Sequence, residues 1–245
     1  MRADSYKIAV IGGDQRQICL AQILASRGCD ISVCGLCGSV RKARVRETAA
    51  LEEALEGADA VAAPVPFFRE GKIAGKYTVP DMNVETLLGG MPASAKLFAG
   101  NIPEDIGRRA GEKGIEVYDV MRDEITAMRN TVAAAEGAVA EAITRSTVNL
   151  TRSRCLVLGY GRCGSTLVRL LKAFSCTVFV AEKDRGRAAA AAVAADGIVS
   201  EAELAAAIEK ADFIFNTVPE MVLTKERMTC AGERTWILDL ASARG

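Results

Sequence analysis

The chain has 245 residues, room for two modest domains or one large one. Its 31 basic and 31 acidic side chains cancel, so no global field steers it onto nucleic acid or an anionic membrane. It contains no His, which excludes Ser-His and Cys-His nucleophilic systems, His-ligated zinc and an imidazole base. Acid–base chemistry therefore falls to carboxylates, Lys, Tyr, Cys or a cofactor.

Met1 to Lys7 leads directly into a short apolar run, without the h-region or cleavage site of a signal peptide. No apolar run approaches the ~20 residues that span a bilayer. The eight Cys then read as reduced thiols of a cytoplasmic protein. Nearly continuous apolar runs begin at Lys7, Asp30, Ala60, Ala95 and Gly114, and again at Cys155, Thr177, Phe213 and Thr235. Such runs suit strands covered on both faces, and Ala-rich helical stretches separate them. The alternation predicts an α/β fold of two doubly wound Rossmann-like domains with parallel sheets.

The halves echo one another. Ala54 to Val61 is repeated in pattern by Ala207 to Ile214, each a helix end at an Ala-Asp step feeding a strand that closes on Val-Pro. Glu124 to Arg145 has no Pro and predicts a long helix, with a hinge or cleft beside it. The expected organisation is a substrate or partner domain over 1–129, a connecting helix over 130–149 and an NAD(P)-binding domain over 150–245.

In the first domain the strand KIAVI turns at Gly12-Gly13, and Asp14 with Gln17 forms a capping pair for the next helix. Arg16 is unusual there, since a cation in a helix's first turn opposes the dipole by ~0.3–1 kcal/mol. A bound anion would account for it, and so would exposure to solvent. The turn lacks the third glycine of a nucleotide fingerprint. Cys34-Gly35-Leu36-Cys37 ends a strand and has neither a second pair nor a His at zinc spacing, which speaks against metal or redox function.

Gly159-Tyr160-Gly161-Arg162-Cys163-Gly164 is a G-x-G-x-x-G between the strand Cys155 to Leu158 and the helical run Ser165 to Phe174. In that setting Gly159 permits the tight turn, Gly161 lets backbone approach a pyrophosphate, and Gly164 allows close helix–strand packing. Amides at the helix start then face the anion. Glu182 ends the next strand, where a carboxylate accepts hydrogen bonds from ribose hydroxyls and favours NAD. Lys183, Arg185 and Arg187 follow, a cluster that suits the 2′-phosphate of NADP, so both cofactors stay open. Ser200 and Glu203 form a capping box. Asn216-Thr217-Val218-Pro219 closes the fourth strand on the carboxyl edge, where Asn216 either meets the nicotinamide end or closes the turn. Asp239, Ser242 and Arg244 end the last strand on that edge. A six-stranded dinucleotide fold continues beyond this point, so a missing carboxyl-terminal tail is expected.

These motifs together resemble the A subunits of dipicolinate synthase, a family of spore formation. The resemblance runs from the first strand to the last residue. It is carried by Ile11 to Gln17, by Asn130 to Ala138 with Ala135-Glu136-Gly137, by Leu158 to Gly164, by Asn216 to Pro219 and by Leu238 to Ser242. It implies NAD(P)-dependent oxidation of a dihydropyridine dicarboxylate to pyridine-2,6-dicarboxylate, partnered by a flavoprotein-like B subunit. Arg16 and Arg129 are then candidates to hold substrate carboxylates. Glu136 and Asn130 are the candidate catalytic residues, Glu136 as proton acceptor, although it also reads as a plain helix-face carboxylate. The sequence departs from the family at Ala133-Ala134, where Pro-Thr is usual, and lacks its glycine-rich carboxyl-terminal segment and helix. Two rival functions stand beside this one. A hydroxyacid-type dehydrogenase would want a His or Lys near a carbonyl carbon, and a nucleotide-binding regulatory subunit would do no chemistry. No nucleic acid, membrane or metal enters these readings, and a homodimer is an open expectation.

Overall fold

The computed structural model describes residues 5–36, 40–69, 71–77, 79 and 81–241, so Cys37, Ser242 and Arg244 lie outside the described residues. Two units divide between Thr126 and Ala127. In the first, alternation along β1 (Lys7–Ile11) sets the layers: Ala9 and Ile11 enter one core and Val10 another. β1 pairs in parallel with β2 (Asp30–Cys34), which pairs with β3 (Val45–Glu47), and on its other side with β4 (Ala60–Ala62). A hairpin of β5 (Phe68–Arg69) and β6 (Lys72–Ile73) precedes β7 (Lys96–Ala99) and β8 (Glu116–Asp119). The resulting parallel sheet has the order β3-β2-β1-β4-β7-β8. Helices α1 (Gln15–Ser26), α2 (Leu51–Leu55), α3 (Val84–Gly90) and α4 (Glu104–Glu112) belong to this unit. Leu55, Leu87 and Leu97 are fully buried between helices and sheet, each stabilising by ~1.5–3 kcal/mol relative to exposure.

The second unit takes in α5 (Glu124–Arg145) from Ala127 onward. Ala135, Ala138, Val139 and Ala142 of that helix join the core of the unit, so it is part of this unit rather than a separate connector. A hydroxyl–hydroxyl hydrogen bond of 2.8 Å between Thr131 and Thr166 ties it to the helix of the nucleotide turn. The strands are β9 (Arg154–Leu158), β10 (Thr177–Ala181), β11 (Gly197–Val199), β12 (Phe213–Asn216) and β13 (Trp236–Asp239), in the all-parallel order β11-β10-β9-β12-β13. Between them run α6 (Arg162–Ala173), α7 (Arg185–Ala194), α8 (Leu204–Glu209) and α9 (Lys225–Met228). Both units are Rossmann-like.

The echo between the halves has a structural basis. Asp59 accepts the Lys7 N–H at 2.8 Å, and Asp212 accepts the Arg154 N–H at 2.8 Å, so each Asp fixes the first residue of its unit's central strand. Gly12 and Gly159 likewise donate to the last residue of the neighbouring strand, Cys34 and Ala181. The Glu203 carboxylate accepts from the Ser200 N–H, as the capping box requires.

Where the structure departs from the sequence pattern, the elements are short. β3, β11 and the hairpin have two or three residues per strand, too few to show a period. The apolar run from Ala60 is strand only to Ala62, because Pro64 and Pro66 lack the N–H a ladder needs. Among the described residues no helix is long and apolar enough to cross a membrane.

Candidate functional site

The carboxyl end of β9 turns into α6 through the three glycines, and each has its own reason. Gly159 has φ +89, and a Cβ there would stand 2.7 Å from Val218 Cγ2. At Gly164 a Cβ would lie 2.2 Å from the Gly159 carbonyl oxygen, so only glycine lets α6 pack against the turn. Gly161 is different. Its φ of −75 is open to any residue, and a Cβ would meet nothing within 4 Å. The fold does not demand glycine at that position.

Gly161 is also the N-cap of α6, and no side chain caps that end. No acidic residue occupies its first turn. An uncapped helix start behind a bare glycine leaves amides and dipole available to an anion. A cavity of about 730 Å³, in the size range of small-molecule and cofactor sites, is lined by Gly159, Gly161, Glu182, Arg187, Thr217 and Pro219 among others. These residues fit a dinucleotide: the space a side chain would fill at Gly161 is where a pyrophosphate would be received. Burial pushes the Cys163 thiol up, so it stays neutral beside this cradle. Tyr160 contributes its backbone, donating to Glu182.

Glu182 lies at the mouth of the cavity with its side chain 6% exposed. Its carboxylate accepts from the N–H groups of Tyr160 (2.8 Å) and Asp184 (2.9 Å) and from the Arg187 guanidinium twice, at 3.1 Å each. Burial alone would raise its pKa, but Arg187 and the two amides outweigh that and hold the carboxyl below its ordinary value. Lys183 is exposed and stands 3.4 Å from Glu220.

The four residues after β12 divide by role. Asn216 is 2% exposed; its Nδ2 donates to the Val218 carbonyl and to Asp239 Oδ1, while its Oδ1 accepts from the Val218 N–H. Of the two roles open to Asn216, its contacts are those of a turn-closing residue. The Thr217 hydroxyl donates to the Leu158 carbonyl at 2.8 Å, pinning the turn to the end of β9. Val218 and Pro219 line the cavity.

The remaining candidates fall in different units. Arg16, in the first, is already paired: its guanidinium bonds Asp14 Oδ1 at 3.0 Å and Oδ2 at 2.8 Å, and Nη2 donates to the Val65 carbonyl at 2.7 Å. That contact holds the Asp14 carboxyl below its usual range. The cation in the first turn is thus balanced by the N-cap carboxylate, and the dipole conflict needs no external anion. Arg129, Asn130 and Glu136 all stand on α5 in the second unit. Arg129 and Glu136, seven residues apart, share one face about 10 Å along the axis, whereas Asn130 is turned roughly 120° from Glu136. Arg129 and Glu136 are exposed. The helix therefore brings Arg129 and Glu136 to one side and leaves Asn130 apart.

A group that the sequence pattern did not single out is the hairpin's set of cations, Arg69 and Lys72, with Lys76 beyond them. Gly71 between two short runs was the available signal, since a glycine there is typical of a tight hairpin turn.

The cavity, the open glycine and the uncapped helix define the class of the second unit. Residues 117–232 match the D-isomer specific 2-hydroxyacid dehydrogenase, NAD binding domain, so this is an NAD-binding dehydrogenase domain. Residues 7–121 match the N-terminal domain of the dipicolinate synthase A subunit. Over 98% of its length the chain is 29% identical to the A subunit of dipicolinate synthase from Bacillus subtilis, covering 82% of that protein. The resemblance to that family is thus carried by both halves of the chain. A crystal structure of the A subunit of dipicolinate synthase from Bacillus halodurans has the same fold, with a TM-score of 0.79 at 22% identity over 97% of this chain and 82% of that one. A transhydrogenase from Sinorhizobium meliloti shares it at a TM-score of 0.64 and 15% identity, covering 94% of this chain and 77% of that one.

Proposed function

We propose that this chain oxidises dihydrodipicolinate to dipicolinate, working with a B subunit, and holds its nicotinamide dinucleotide at Gly159 to Gly164. The observation that carries the cofactor site is Gly161, a glycine that the fold leaves free and that only a closely approaching ligand explains. The amino-terminal domain type supports the substrate. A bound nicotinamide would accept the hydride. The chain's part is to bind and orient two carboxylates, by Arg16 and Arg129, and to take up one proton. Glu136, exposed on the face of α5 that carries Arg129, is the acceptor in this reading; Asn130 serves the same helix region. Loss of a hydride and a proton makes the product ring aromatic, so the reaction needs positioning more than activation, which suits a chain without His. At the ribose end, Glu182 with Arg187 and Lys183 meets the adenosine, and Tyr160, Arg162, Cys163, Thr217, Val218 and Pro219 shape the cradle around it.

The test is formation of pyridine-2,6-dicarboxylate, followed by its ultraviolet absorbance, from freshly generated dihydrodipicolinate with NAD or NADP. The chain is assayed alone and with the B subunit. Cofactor-dependent product supports the proposal, and the two arms show whether the B subunit is required. No product in any combination overturns it and returns the hydroxyacid and regulatory readings.

A further inference from the structure

The two units treat the turn after their central strand in opposite ways. In the first unit the turn is plugged by the chain itself. Gly13 donates to the Ala74 carbonyl at 2.9 Å and accepts from the Lys76 N–H at 3.2 Å. The Gly12 N–H is taken by Cys34, and the Asp14 N–H by Gln17 Oε1. A Cβ on Gly12, whose φ is +57, would stand 2.8 Å from the Ala74 oxygen, so the seam closes only on glycine. The amides of Gly12, Gly13 and Asp14, where a phosphate would be cradled, are all engaged within the protein.

Beside this seam lies a cavity of about 570 Å³ lined by Arg16, Arg69, Lys72 and Lys76. Asp14 is the one carboxylate among its described lining residues, and Arg16 already neutralises it. Arg69 and Lys72 stand directly opposite one another in the hairpin register. Like charges so placed repel. The companion pair, Phe68 and Ile73, packs on the core, which leaves Arg69 and Lys72 on the other side of the hairpin. Among the described residues the side chains of Arg69, Lys72 and Lys76 have no hydrogen-bond or ion-pair partner, and the Nη1 donors of Arg16 have none either.

We propose that this cavity of the first unit is a binding site for a small dicarboxylate, held by Arg69, Lys72 and Lys76 with the remaining donors of Arg16. Three unpaired cations exceed what one carboxylate can neutralise, and the engaged backbone amides make the recognition a matter of side chains rather than a phosphate cradle. The proposal rests on the dicarboxylate reading above and names the residues that would recognise that substrate.

The experiment is calorimetric titration of the full chain, with NAD present, using pyridine-2,6-dicarboxylate and, separately, glutarate. Lys72→Gln and Lys76→Gln are each expected to weaken dicarboxylate binding about tenfold, and the double variant further. Arg41→Gln, an exposed charge change elsewhere in the unit, is expected to leave it unchanged, and NADH affinity is expected to be the same in every variant. Unchanged dicarboxylate affinity in the double variant overturns the site, and so does failure of the wild-type chain to bind either probe. Binding of glutarate but not of pyridine-2,6-dicarboxylate, lost in the double variant, supports the site and removes dipicolinate as the product.

Discussion

Replacing Gly161 by Ala separates ligand recognition from folding more cleanly than any other change in the nucleotide turn. The backbone there is extended, so Ala introduces no strain, and its Cβ enters space with no protein atom within 4 Å. Stability should stay within ~0.5 kcal/mol of wild type. A pyrophosphate pushed back by a methyl group forfeits at least one charge-assisted hydrogen bond to the α6 amides, ~1.5–3 kcal/mol, which is about 10- to 150-fold in Kd. Gly164→Ala is the counterpart. Its Cβ would sit 2.2 Å from a backbone oxygen that cannot swing away, so the cost is overpacking of ~1–3 kcal/mol and a melting point lower by at least about 4 °C. Fluorescence titration with NADH and thermal unfolding of both variants read the two effects. A Gly161→Ala protein that binds NADH as wild type does would refute the cradle. A Gly164→Ala protein that melts with wild type would refute the packing argument.

Three further outcomes are expected. Asn216→Ala removes three hydrogen bonds at a buried site and should cost ~1–3 kcal/mol in denaturant unfolding; an unchanged stability with lost NADH binding would show instead that Asn216 serves the ligand directly. Glu182 has its folded pKa depressed, so its stabilisation is complete above the ordinary Glu value of ~4.3 and is lost as pH falls through the lower folded value. Between about pH 5 and 3 the wild type should therefore lose stability more steeply than Glu182→Gln, and parallel slopes would contradict this. Asp59→Ala and Asp212→Ala each remove the bond that fixes a central strand's first amide. Hydrogen exchange at Lys7 and Arg154 should quicken in the respective variant alone, with a loss of ~0.5–1.5 kcal/mol; faster exchange at both amides in either variant would be inconsistent with local anchoring.

What the sequence revealed follows from how locally each feature is encoded. The strands β1, β2, β9, β10 and β12 are apolar on both faces, and that shows as unbroken runs such as KIAVI and TVFVA. The nucleotide turn is legible because glycine spacing is itself the constraint. The pairing of Arg16 with Asp14, by contrast, depends on a side-chain rotamer, and from sequence the cation looked unopposed. Glu182 is correctly placed at the end of β10, yet its four hydrogen bonds join Tyr160, Asp184 and Arg187 through the turn geometry. The hairpin of Arg69 and Lys72 was not visible, since two-residue strands carry no periodicity and their cations read as an ordinary solvated loop.

The plugged turn of the first unit fixes a stoichiometry. Two Rossmann-like units in one chain raise the arithmetic possibility of two dinucleotides, one behind each central strand. With the amides of Gly12, Gly13 and Asp14 engaged by Cys34, Ala74 and Gln17, only the turn at Gly159 keeps a receptive cradle. A titration of this chain with NADH should break at one equivalent, and the first copy of the fold is set free to evolve around whatever meets the cofactor.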